Sequence, residues 1–294
     1  MGAEKRSMSA WGFILFPLAI ITVFNALPTI SGIGLSFFEW SGGAEPRFIG
    51  LRNFVEGWND ATLRHAMRNT LIFALVTTPL IVVLAFLFAV AVNAPWFIAR
   101  TTTRTIFFLP TIVSIVAIGF IWRWVLDPGG GLLNHLLVDL GVPRDSIPSW
   151  LGDSPVGLAT IMAVSVWRQL GFALVLYLAA LSDVPRSLYD AGAVDGASAW
   201  QTMWRITWPS VRPMTFFLLI TGMITALQVF DIVLIMIGRV EQEWTDVLNL
   251  YLYREFMSNR LGYAATIGVV VLVLTLIVTA GQAWWWRRFE GAEA

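Results

Sequence analysis

The chain has 294 residues, of which 57% are hydrophobic and 13% charged, against roughly 25% charged in soluble domains. Nineteen basic and nineteen acidic residues cancel, there are two histidines, and there is no cysteine. That excludes disulfide and thiol chemistry, argues against a structural zinc or haem site, and gives no pointer to nucleic acid.

From the N-terminus, Lys5 and Arg6 precede an apolar run that continues to about Phe38. The run is too long for a signal-peptide core and lacks a small-residue cleavage site, so a retained first helix is expected. Apolar stretches longer than about 18 residues cross a bilayer as helix. Six such spans are predicted: about 10–38, 69–93, 105–126, 156–181, 213–237 and 263–285. None shows the alternation of a membrane strand, so the fold class is all-α and polytopic. Pro110 breaks the third span early, which is tolerable where neighbouring helices satisfy the freed carbonyl.

Orientation follows from the loops. With both termini inside, the inner segments carry nine basic residues (Lys5, Arg6, Arg100, Arg104, Arg186, Arg205, Arg212, Arg287, Arg288) against six acids. The outer segments carry eight arginines and twelve acids. The basic counts alone decide nothing, but several inner arginines sit in short loops near helix ends, where the positive-inside rule has most force. The N-in, C-in topology is therefore expected. The outer loops 39–68, 127–155 and 238–262 hold Trp40, Trp58, Trp150 and Trp244. Two readings stay open for them: an interfacial aromatic belt, or a surface for an external partner.

Between the fourth and fifth spans lies a polar interruption, 183–213. Asp183 reads as an N-cap with Pro185 near the first helical position. A short helix to about Val194 follows, then an Asp195-Gly196 turn. Ser198 is placed to cap a second helix whose Trp200, Met203, Trp204, Thr207 and Trp208 share one face. Pro209 and Pro213 are expected to end it before the next span. Such a helix–turn–helix is too short and polar to cross a membrane. It either lies in the headgroups, held by its tryptophans, or is a knob presented to a soluble protein.

Here a family resemblance is carried by quoted residues. The segment reads D-A-G-A-V-D-G-A from Asp190 to Ala197 and I-T-W-P-S-V-R-P from Ile206 to Pro213. This resembles the EAA loop of ABC-importer permeases, roughly E-A-A-x-x-D-G-A, a gap, then I-x-L-P-x-x-x-P. Asp190, Gly192 and Trp208 depart from it. "FIGLRNF" (48–54), "RTIFFLP" (104–110), "WRWVLDPGGGLLN" (122–134), "VWRQLGF" (166–172), "FD" (230–231) and "GYAATIG" (262–268) are similar to landmarks of the sugar-type subfamily, first permease subunit, over the whole chain. The family's T-x-G-G-P-like element after the FD pair is replaced by "LIMIGRVEQEWTD".

The resemblance implies a type I importer permease fold, one permease domain over 1–294, with Asp190, Ala191, Asp195, Gly196, Ala197, Ile206 and Pro209 docking a cytoplasmic ATPase. It also implies the partners: a second homologous permease, two ATPase subunits that bind ATP and Mg, an extracytoplasmic solute-binding protein, a carbohydrate substrate and the bacterial or archaeal plasma membrane. No cofactor is expected in this chain. No Walker-type G-x-x-x-x-G-K-[ST] is present, so energy is expected from a partner rather than from catalysis by this chain.

Polar residues within spans are candidates for the substrate path, because each costs several kcal/mol facing lipid. Arg123 can snorkel to an interface. Arg168 lies deeper, flanked by Trp167 and Gln169. Thr221, Thr225, Gln228 and Asp231 are spaced by four, three and three, which puts them on one face of a continuous helix. They are read either as pore lining for a sugar or as helix–helix hydrogen bonding; Arg168 and Asp231 also have the option of pairing with each other. The rival from another class is an ion-coupled secondary transporter, whose usual internal repeat is not evident here.

Overall fold

The computed structural model describes residues 13–43, 45–94 and 97–290, with backbone alone for 289 and 290. Lys5, Arg6, Glu4, Glu293 and the start of the first expected span lie outside the described residues. The long helices are α1 (Phe13–Leu35), α3 (Ala61–Asn93), the pair α4 (Arg100–Ile112) and α5 (Ile115–Val125), α7 (Pro155–Ser182), α9 (Ala199–Leu227) and α12 (Leu261–Glu290). Shorter ones are α2 (Arg52–Asn59), α6 (Leu132–Asp139), α8 (Arg186–Val194), α10 (Asp231–Ile237) and α11 (Leu248–Met257). Among the described residues, five helices are long and apolar enough to cross a membrane, or six if the α4–α5 pair, bent by 96°, makes one crossing. The only strands among the described residues are β1 (Phe38–Glu39) and β2 (Arg47–Phe48), paired antiparallel.

Two spans differ from expectation. In the third, Pro110 stays within α4 and the chain turns three residues later, at the extended Val113 and the Ser114 that precedes α5. In the fifth, the helix does not stop at the prolines. α9 runs unbroken from Ala199, and Met203–Thr207 widens to a π turn in which the Trp208 N–H donates to the Met203 carbonyl. Such local widening is one way a membrane helix absorbs proline, and Pro209 then falls in the first turn of the segment that follows. The same helix ends at Leu227, ten residues earlier than expected, and the chain restarts as α10. No proline or glycine lies at that break. What holds it is tertiary: α10 packs on α5 at Gly119, where a Cβ would come within 2.5 Å of Ile235 Cγ2.

The described residues fall into two compact units, one up to Leu63 with Tyr251–Val273, the other Arg64–Leu250 with the chain from Leu274 on. In the first, Asn53 is buried and donates to the carbonyls of Ser36 (2.9 Å) and Phe38 (3.0 Å), tying α2 to the end of α1. Gly262 lets the start of α12 approach β1 so closely that a Cβ would lie 1.9 Å from the Phe38 carbonyl oxygen.

In the second unit, the start of α3 is pinned to the loop before α11. Asn69 Nδ2 donates to the carbonyls of Glu243 (2.8 Å) and Asp246 (2.9 Å), and Thr70 accepts from the Leu248 N–H (2.9 Å). Each such bond contributes about 1 kcal/mol net. Ser154 caps α7 with Pro155 at its first position, as its sequence favours. Two apolar cores follow: one around Phe73, Ile161, Leu227 and Val233, the other around Phe86, Leu174, Tyr177 and Val211. α4 lies against α7 at Gly171, whose missing side chain leaves room for the backbone of Phe107.

Candidate functional site

The knob is built by local signals. α8 ends at Val194, Gly196 takes φ +71°, and Ser198 and Gln201 form a reciprocal capping box that starts α9. One sequence expectation is corrected at its entry. Asp183 belongs to the end of α7 and Pro185 itself precedes α8, with no side-chain cap. The reason is that α7 runs to Ser182 and takes Asp183 as its C-terminal cap residue, which leaves Pro185 to precede α8. The two knob helices touch where Gly192 faces Ile206, since a Cβ there would meet Ile206 Cδ1 at 3.0 Å. Tyr189 and Thr207 hydroxyls are 3.3 Å apart across the same seam. Asp190, Ala191, Asp195 and Gly196 are exposed; Ala197, Ile206 and Pro209 are half-buried. All seven residues therefore lie on one short helical hairpin that continues directly into a helix long and apolar enough to cross a membrane.

Along that same helix, the second unit holds a cavity of about 230 Å³. Its walls are Thr78, Ile81 and Val82 of α3, Thr111 of α4, Arg168, Gln169, Phe172 and Ala173 of α7, and Leu218, Thr221, Gly222 and Thr225 of α9. Four of the sequence candidates, Arg168, Gln169, Thr221 and Thr225, thus meet in one place. The other three do not line it. Trp167 is 44% exposed and stacks edge-on against Trp122 at 5.7 Å. Gln228 lies just past the end of α9, and Asp231 opens α10. The four polar residues of the fifth span therefore do not form one helix face, because the helix they assumed ends at Leu227.

The hydrogen-bond capacity of the cavity follows from what its groups already do. Thr221 donates to the Phe217 carbonyl, Thr225 to that of Thr221, and Thr111 to that of Arg168, at 2.7, 2.9 and 3.1 Å. Their protons are committed, so these hydroxyls offer lone pairs to a ligand. Arg168 and Gln169 supply donors. Thr78 Oγ1 is buried with no partner, so it can both donate and accept. Thr78 and Thr111 were missed by the sequence reading; the signal was the Thr77-Thr78-Pro79 interruption inside an otherwise apolar run.

The first unit carries a second polar cleft of about 440 Å³, with Glu39, Trp40, Arg47, Arg52, Glu56 and Arg260 in its walls. Beside it Asp60 accepts from the Tyr251 and Tyr263 hydroxyls at 2.5 Å each, and from the N–H groups of Thr62 and Leu63. Burial opposes its ionisation, but these donors outweigh it and hold the carboxyl below the usual range. Burial and the adjacent carboxylate push the Tyr251 phenol up. Arg260 pairs with Glu56 and, at 2.7 Å, with Glu255. Burial nonetheless raises Glu255.

Comparison with known proteins gives a consistent result. Residues 59–291 match the family described as the binding-protein-dependent transport system inner membrane component. The chain is 32% identical over 283 residues to the osmoprotective compounds uptake permease protein GgtC of Synechocystis sp., covering 94% of this chain and 97% of that one. It is 30% identical over 277 residues to the lactose transport system permease protein LacF of Rhizobium radiobacter, covering 92% of each. A solved bacterial alginate ABC transporter, in complex with an alginate pentasaccharide-bound periplasmic protein, has a chain with TM-score 0.85 and 25% identity. That match covers 97% of this chain and 96% of the other.

Proposed function

Because the chain belongs to the binding-protein-dependent transport system inner membrane components, we propose that it is a carbohydrate-conducting permease subunit of an ATP-driven importer. In this reading it pairs with a second homologous permease. Two ATPase subunits, which bind ATP and Mg, dock at its knob, and an extracytoplasmic solute-binding protein delivers substrate to the other side of the membrane. Both termini face the cytoplasm. The whole chain acts as one permease domain and carries no catalytic group; hydrolysis belongs to the partner.

The observation that carries the proposal is the layout of α9. One helix holds the docking sequence at its start (Ile206, Pro209) and the cavity threonines near its end (Thr221, Thr225). The knob's exposed residues Asp190, Ala191, Asp195 and Gly196, with Ala197 at the seam, form the contact surface for the ATPase. The cavity's acceptor threonines, amide and guanidinium suit a polyhydroxyl solute. With Arg168 as its single cation among neutral groups, the cavity favours a neutral saccharide over a multiply charged one. LacF is named for lactose transport and the solved relative for alginate, which supports the carbohydrate class. Trp167, Gln228 and Asp231 then flank the path rather than line the cavity. Alternating access follows if nucleotide-driven closure favours one cavity state over the other by differential affinity.

The test is uptake of radiolabelled saccharides by cells or vesicles holding the complete importer, with ATP depleted and ion gradients intact. Uptake should cease. Continued uptake would sink the proposal in favour of an ion-coupled transporter.

A further inference from the structure

A chain of aromatic rings runs from the exposed knob into the buried core of the second unit. Trp200, 67% exposed, meets Trp204 edge-on at 5.5 Å, and Trp204 meets Trp208 at 5.8 Å. Trp208 meets Phe86 of α3 at 5.0 Å, and Phe86 meets Tyr177 of α7 at 5.7 Å. Tyr177 is fully buried, and its hydroxyl is 2.8 Å from Thr215 Oγ1, which returns the chain to α9. Three helices are thereby joined by ring contacts and closed by one hydrogen bond.

The circuit abuts the cavity. Phe86, Tyr177 and Trp208 pack in the same core as Ile81, Val82, Ala173 and Leu218, and each of those four also lines the cavity. The joints are short. Phe86 lies one helical turn beyond Val82, Tyr177 one turn beyond Ala173, and Thr215 one turn before Leu218. Close-packed interiors repack between discrete arrangements rather than deform continuously. Flat rings with few rotatable bonds pass on a displacement that flexible side chains would absorb. The π turn at Met203–Thr207 sits between Trp200 and Trp208, and Thr207 in it faces Tyr189 of α8.

We propose that Trp208, Phe86 and Tyr177 are positioning residues of the transport cycle, carrying displacement of the knob to the cavity wall. The inference rests on the proposed coupling to a partner ATPase. Since the chain has no cysteine, Thr221→Cys provides a single thiol in the cavity wall. The complete importer in nanodiscs is treated with a methanethiosulfonate reagent, with and without ATP plus vanadate. Labelling of this chain is read by its mass, and ATP hydrolysis is measured in parallel. In the Thr221→Cys parent, nucleotide trapping should change the labelling rate several-fold.

With Phe86→Leu added, hydrolysis and assembly should persist while the change in labelling is markedly reduced. Tyr177→Phe, which keeps every ring and removes only the link to Thr215, should show a partial loss; it decides the matter if Phe86→Leu does not assemble. Phe86→Leu combined with Trp208→Leu should lose no more than either alone, because the rings act as one unit. Retention of the full labelling change in both Phe86→Leu and Tyr177→Phe overturns the inference. So does additive loss in the double variant, and so does a fall in hydrolysis and thermal stability that tracks the loss of labelling change. An unresponsive Thr221→Cys parent removes the ATPase coupling itself, and the inference with it.

Discussion

Gly171 offers the sharpest test of how the cavity is held. A Cβ at this position would lie 1.9 Å from the Phe107 carbonyl oxygen, 2.4 Å from its carbon and 2.9 Å from Phe108 Cα. All three obstacles are backbone, so no rotamer change relieves them. Restoring an ordinary contact of 3.4 Å requires α4 and α7 to part by about 1.5 Å. Overpacking typically costs about 1–3 kcal/mol and more where the backbone must move, so Gly171→Ala should cost about 3 kcal/mol. Alanine's better helix propensity returns no more than about 1 kcal/mol of that. The separation also strains the bond from Thr111 Oγ1 to the Arg168 carbonyl, which joins two cavity walls. The assay is thermal unfolding of the purified importer, with saccharide uptake measured on the same variant. We expect the apparent midpoint to drop by roughly 4–12 °C, at about 2–4 °C per kcal/mol, and uptake to fall. Gly222→Ala is the comparison, since its Cβ would meet only the Thr78 methyl at 2.9 Å, a side chain that can turn. It should cost clearly less. A Gly171→Ala importer as stable and active as the parent would refute the close backbone approach of α4 and α7.

Three further outcomes are expected. Gly192→Ala restores the residue more usual in the resembled pattern, and its new methyl meets only the tip of Ile206 at 3.0 Å. The tip can give, so a gain of about 0.5–1 kcal/mol from helix propensity should prevail, with uptake unchanged; a lower midpoint would show the seam is rigid. Gly196→Val meets nothing within 4 Å but must hold φ +71°, at a cost of roughly 1–2 kcal/mol confined to the knob. Co-purification of ATPase should be lost while membrane insertion survives, and normal uptake would count against the docking role. Asp60 has a lowered folded-state pKa, through donors that outweigh its burial. Its ionised form therefore stabilises the fold above the unfolded value near 3.9, and that contribution fades as pH falls through the lower folded value. Asp60→Asn should thus be less stable than the parent at pH 7, by roughly 1–2 kcal/mol. The gap should close as pH drops below about 4; a gap that widens in acid would contradict the sign.

What could be read from sequence depended on the range of the interaction responsible. The knob was legible because its signals are local: Asp195-Gly196 for the turn, and Ser198 with Gln201 three residues on for the cap. The count of crossings was legible because lipid imposes a one-dimensional constraint of length and apolarity. The cavity was half legible. Arg168, Gln169, Thr221 and Thr225 declared themselves as polar groups in apolar runs, whereas Thr78 was masked by the strongly apolar helix around it. Asp231 was misplaced by periodicity alone, since the break before it is set by α10 packing on α5 at Gly119, a contact more than one hundred residues distant in sequence. The same holds for Asp60, whose tyrosine partners lie 191 and 203 residues away.

The prolines make the point most sharply. Read locally, Pro209 and Pro213 end a helix. The π turn at Met203–Thr207 places Pro209 in the first turn of the segment that follows, where its missing N–H costs little and its fixed φ suits a helix, and the helix runs on. The local rule that proline stops a helix therefore yields to where in the helix the proline falls. That continuity is what joins knob and cavity on a single rod. A sequence that obeyed the soluble-protein rule at Pro209 would have placed a flexible hinge between them.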